Sequence, residues 1–141
     1  MLAGAIAGCG GDGGGGGESG PTLADWAAKA DRICESAQQE LAKIEAPGGL
    51  GDVPAYVDAT APIVEEELAK LRDIPRPGNH ERVDAYLQKV EETLKSARAV
   101  GAAAADGNAA AARTKGQETQ RLTSEAADLA GDLGAKKCAS Q

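Results

Sequence analysis

Apolar residues return at three- and four-residue steps over four long stretches of this chain, and proline, glycine or an Asp-Gly-Asn turn closes the gaps between them. That period puts one buried stripe on each of four helices and is not the two-residue alternation of a half-buried strand. Leu23, Trp26, Ala27, Ala30, Ile33, Cys34, Ala37, Leu41 and Ile44 form the first stripe, ending at Pro47-Gly48-Gly49. Thr22 precedes it as an N-cap, with Asp25 three residues on in place of the usual Glu or Gln of a capping box.

The second helix is expected from near Asp52 to about Arg72, with Val53, Val57, Thr60, Val64, Leu68 and Leu71 on one face. Pro62 lacks a backbone donor and crowds the turn before it. The helix therefore kinks there, or a first piece ends near Ala59 and Thr60 recaps; the kink is the favoured reading. Pro75-Arg76-Pro77-Gly78 breaks the chain before Asn79, the expected cap of a third helix with Val83, Leu87, Val90, Leu94 and Ala97 on its stripe. After Asp106-Gly107-Asn108 a fourth helix runs from Ala109 toward Gly134, using Leu122, Ala126, Leu129 and Leu133. Its first half, residues 109–112 and Gly116, offers no large apolar group, so it packs very close to a neighbour, leaves a groove or frays.

Four helices with short connections predict an all-α fold, an up-down-up-down four-helix bundle over residues 22–141, with the first and fourth helices side by side. Alanine and aliphatic residues must build most of its core, because Trp26, Tyr56 and Tyr86 are the whole aromatic inventory. The net charge of -7 argues against nucleic acid as a partner, since displacing counterions from phosphates needs clustered Lys and Arg.

The chain opens with an apolar run ending in Ile6-Ala7-Gly8-Cys9, which resembles the lipobox of bacterial lipoproteins. The resemblance implies a diacylglyceryl group on the Cys9 thiol and cleavage just before it, which reads residues 1–8 as a truncated lipoprotein signal peptide. No basic residue precedes Lys29, whereas a secretory signal starts with a positive segment, so the translation start is expected upstream of Met1. Residues 9–21 follow as the lipidated cysteine and a glycine-rich tether, with a root-mean-square span of roughly 20 Å. The expected address is the extracytoplasmic face of the cell membrane, with the membrane itself a partner through the lipid on Cys9.

Three cysteines leave one over, and lipid on Cys9 accounts for it. Cys34 and Cys138 then form the pair expected to oxidise outside the cytoplasm. In an up-down-up-down bundle the chain's end lies beside the first helix, within reach of the face that carries Cys34. Two unrelated buried thiols in a cytosolic protein are the competing reading. A metal site is not expected, because two cysteines and the lone His80 fall short of four ligands.

Three further segments, Asp31-Arg32-Ile33-Cys34, Pro62-Ile63-Val64-Glu65-Glu66-Glu67-Leu68 and Leu133-Gly134-Ala135-Lys136-Lys137-Cys138, resemble uncharacterised small lipoproteins of actinobacteria. That resemblance implies helical structure, one disulfide and a surface location, and brings no activity with it.

The residues themselves mark no catalytic or cofactor-binding constellation. Glu65-Glu66-Glu67 and Glu91-Glu92 read as solvated faces, with Glu66–Lys70 and Glu91–Lys95 at the favourable helical spacing for ion pairs. Asp12 sits in a glycine tract that lacks the Lys-Ser or Lys-Thr of a phosphate loop. His80, in a proline-rich turn, reads as a surface histidine. Trp26, Tyr56 and Tyr86 are expected to pack the core, or alternatively to line a groove. The expected function is a non-enzymatic interaction or binding module at the cell envelope, whose partner is an unidentified envelope protein or small ligand. The alternative is a small-ligand carrier whose pocket opens beside the alanine-rich start of the fourth helix. A carrier needs an apolar cavity of a few hundred Å³ touching Tyr56, Tyr86 or Trp26, and an interaction module needs an exposed patch.

Overall fold

Thr22 opens the first helix by reciprocal capping: its hydroxyl oxygen accepts from the Asp25 amide at 3.1 Å, and the Asp25 carboxylate accepts from the Thr22 amide at 3.0 Å. Such a cap contributes about 1 kcal/mol by satisfying backbone donors that the helix itself cannot. In the computed structural model, which describes residues 20–141, four helices follow: α1 (Leu23–Leu41), α2 (Val53–Asp73), α3 (Glu81–Ala105) and α4 (Ala109–Asp132). Single 3-10 turns lie at Leu50–Asp52 and Cys138–Ser140, and the described residues contain no strand. The expectations for a signal segment at 1–8, for lipid on Cys9 and for the tether through residue 19 lie outside the described residues.

Several helix ends differ from the periodic reading, each for a local reason. α1 stops at Leu41, short of Ile44, because the Lys43 and Ile44 amides bond the carbonyls three residues back and tighten the last turn ahead of Pro47. α2 runs unbroken through Pro62, which lies with Asp58 on the exposed side. Thr60 caps nothing; its hydroxyl donates to the Tyr56 carbonyl at 2.9 Å. α3 begins one residue later than expected, with His80 rather than Asn79 at the cap position, because the Pro77-Gly78 turn continues through both. Asn108 caps α4 by accepting from the Ala111 amide at 3.0 Å.

The end of α4 sets up everything that follows. Gly134 takes φ +80°, a left-handed conformation costly for any residue with a Cβ, and the Ala135 amide bonds back to the Ala130 carbonyl at 2.9 Å. This reversal sends the chain across the bundle toward α1. There Asp31 accepts from the Lys137 amide at 2.7 Å, Gln38 donates to the Lys137 carbonyl at 2.6 Å, and Cys138 joins Cys34 with Sγ atoms 2.01 Å apart. The bundle is closed by this disulfide and its hydrogen bonds, and α1 packs on α2 and on the C-terminal turn rather than directly along α4.

α3 is the central helix, packed on both α2 and α4. Close approach is written in small residues: a Cβ on Gly101 would meet Val57 at 3.2 Å. The alanine-rich start of α4 neither frays nor opens. Ala112 is buried with Ala104 of α3, and a polar link follows, in which Thr119 donates to Ser96 at 2.9 Å and Ser96 bonds the Lys115 carbonyl at 3.5 Å. Trp26, Leu71, Val83, Tyr86 and Leu133 fill the main core, where each large apolar side chain contributes about 1.5–3 kcal/mol through burial.

Candidate functional site

Where α1 stands away from α4, the bundle interior is not filled. A cavity of about 340 Å³ lies between the helices. Tyr56, Thr60 and Val64 line it from α2, Tyr86, Val90 and Thr93 from α3, and Thr123, Ala126 and Ala127 from α4. Leu41, Cys138 and Gln141 close the end nearest the disulfide. The spacing explains the space: these residues occupy one stripe of each helix, and alanine and threonine stand at positions where leucine would fill a closed bundle.

The lining carries no charged side chain, and its threonines are chemically alike. Thr60, Thr93 and Thr123 each donate the hydroxyl proton to the carbonyl four residues back, at 2.9, 2.8 and 2.9 Å. A hydroxyl has one proton and two lone pairs, so each can offer a ligand an acceptor only. Clefts of about 460 and 340 Å³ elsewhere differ in kind, being rimmed by ion pairs such as Arg72–Glu91, Arg98–Glu65 and Lys115–Glu118.

Tyr56 and Tyr86 therefore share the cavity wall, while Trp26 does not reach it. Trp26 is fully buried behind Tyr86, edge to face with ring centroids 6.1 Å apart. Its indole Nε1 has no hydrogen-bond partner among the described residues, a cost of about 1–3 kcal/mol that the ring's burial offsets. The Tyr86 hydroxyl lies 3.8 Å from Cys34 Sγ, and burial, followed by the charges of Glu67 and Asp31, pushes its ionisation well above the usual phenol range.

Glu67 departs from the solvated face expected for its acidic run. It is 3% exposed, between α1 and α2, and burial raises its carboxyl to about 7 despite a hydrogen bond donated by Gln141 Nε2. The sequence did carry a signal, since Glu67 falls three residues after Val64 and seven after Thr60, on the inward stripe of α2. Its neighbour Glu66 pairs with Lys70 at 2.7 Å as the spacing predicts, whereas Glu91 reaches across to Arg72 on α2 instead of Lys95. His80 is exposed and its Nδ1 lies 2.8 Å from Asp84, whose carboxyl is held low first by this bond and also by Arg76.

Among the described residues, no three His, Cys, Asp or Glu side chains are placed to hold a metal, and no helix is long and apolar enough to cross a membrane. Fold and cavity together define a disulfide-closed four-helix bundle with a pocket between its helices that is partly open to solvent, is lined by uncharged side chains and is bounded at one end by the C-terminal turn. Comparison with known protein families, curated proteins and solved structures finds no match.

Proposed function

We propose that this protein is a lipid-anchored carrier of small apolar molecules on the extracytoplasmic face of the cell membrane, held there through Cys9, with its ligand lodged inside the bundle. The observation that carries the reading is the cavity of about 340 Å³ touching Tyr56 and Tyr86, whose size falls in the range of small-molecule sites. It sits beside the second half of α4, away from the alanine-rich start. A docking module recognised through an apolar face is less well supported, because Leu50 at 37% is the one exposed large hydrophobic among the described residues.

Calorimetric titration of the full chain with decanol tests the carrier. Saturable one-to-one binding is expected, weakened at least tenfold by Ala127→Trp, which fills the cavity from α4. Absence of saturable binding, or equal binding by that variant, overturns the reading. The anchor has its own test in the intact mass of protein recovered from the envelope. One diacylglyceryl group on Cys9 and the loss of two hydrogens at Cys34 and Cys138 are expected, and an unmodified Cys9 would remove the membrane from the proposal.

A further inference from the structure

We propose that the cavity selects apolar molecules bearing an ammonium group, and that Glu67 is the residue that selects them. The inference rests on the carrier reading and adds the ligand's chemical class to it. Three observations converge. First, the threonine hydroxyls along the wall have committed their protons to main-chain carbonyls, so the polar complement they present is made of acceptors.

Second, a buried carboxyl lies one hydrogen bond behind that wall. Gln141 both lines the cavity and donates to Glu67 Oε1, and the Glu67 charge is close enough to act on Tyr86, another wall residue. Gln141 is itself exposed, so its side chain can swing aside and give a ligand access to the carboxyl. The bond lost, amide to carboxylate, is itself charge-assisted, so what an ammonium adds is the counter-charge that Gln141 cannot supply.

Third, among the described residues Glu67 has no cation of its own. Lys70, which shares its crevice between α1 and α2, is engaged by Glu66 at 2.7 Å, and Lys137 of the C-terminal turn is engaged by Glu35 at 3.1 Å. The other charged groups nearby are Glu40 in the same crevice and Asp31, whose charge, like that of Glu67, acts on Tyr86, and both are acidic. A buried carboxylate without a counter-ion is costly to keep charged, and the surroundings favour a cation and repel an anion.

Three probes of one chain length, decylamine, decanol and decanoate, are titrated into the full chain at pH 8 and at pH 5. At pH 8 decylamine is expected to bind at least tenfold more tightly than decanol, and decanoate more weakly than either. At pH 5, where Glu67 takes up a proton, the amine's advantage is expected to shrink. Glu67→Gln keeps the side-chain shape and an acceptor for Gln141, and should remove the preference for the amine, so that decylamine and decanol bind alike at pH 8. Ala127→Trp should weaken binding of all three at least tenfold, which separates the cavity from adsorption on the acidic surface. Equal affinities for amine and alcohol, or an amine preference that survives Glu67→Gln, overturn the selection by Glu67 and leave the carrier standing. Failure of every probe to bind overturns both.

Discussion

Breaking the Cys34–Cys138 bond should destabilise the domain by about 4 to 5 kcal/mol, because the bond spans 104 residues and removes the closure entropy of that loop from the unfolded chain. A domain of this size has total stability of roughly 5–15 kcal/mol, so the loss is a large share of it. Urea titrations of the oxidised chain and of the Cys34→Ala, Cys138→Ala double variant measure it, and a difference below about 1 kcal/mol would contradict the expectation. The consequences should also be local. Without the bond, the polar contacts that hold the C-terminal turn to α1 are the hydrogen bonds of Asp31 and Gln38 and the exposed Lys137–Glu35 ion pair, and that turn forms the end wall of the cavity. Amides of residues 135–141 should therefore exchange faster than those of α3 at denaturant concentrations where the bundle remains folded.

That wall shows where sequence reading succeeds and where it stops. α3 was legible because Val83, Leu87, Val90 and Leu94 are large, and large side chains at helical spacing have one way to be buried. The meeting of Cys34 with Cys138 was legible from the cysteine count, but its route was not: α1 does not pack along α4 as expected, and the left-handed turn at Gly134 carries the chain across to α1. The blank start of α4 was not, because alanine next to Ser96 and Ala104 becomes an interface only when the partner's small residues are known. The cavity was invisible for a related reason. Thr60 reads as an ordinary member of a stripe, and nothing along one helix reveals that Thr93 and Thr123 also leave the same volume empty. Glu67 was obscured by its neighbours: an acidic triplet reads as a solvated face, although its middle and last members point to opposite environments, Glu66 to Lys70 and water, Glu67 to the interior.

Raising the pH from 5 to 8 should lower the stability of the domain by on the order of 3 kcal/mol, and Glu67 is the cause. Its carboxyl titrates at 4.5 when unperturbed and at about 7 in the folded protein, because burial penalises the charged form. Between those values the folded chain keeps a proton that the unfolded chain has lost. Unfolding releases it, and stability falls as pH rises through the window, levelling above about 7; at about 1.4 kcal/mol per pH unit the total is on the order of 3 kcal/mol. Asp25, Glu66, Asp84, Glu92, Glu118 and Glu125 act in the opposite sense. Their carboxyls are held low first by hydrogen bonds with Thr22, Lys70, His80, Lys89 and Lys115, so their stabilisation is lost only as pH falls into the acid range. Being exposed they are screened, which leaves the optimum near pH 5. Denaturation curves across pH 4 to 9 test this against Glu67→Gln, which should match the wild type at pH 5, show a flat profile to pH 8 and exceed the wild type there by the full difference. A variant with the wild-type slope would place the titrating group elsewhere. Decylamine gives the same argument from the other side: if it supplies the missing counter-ion, it should stabilise the wild type more at pH 8 than at pH 5, and more than it stabilises Glu67→Gln at pH 8.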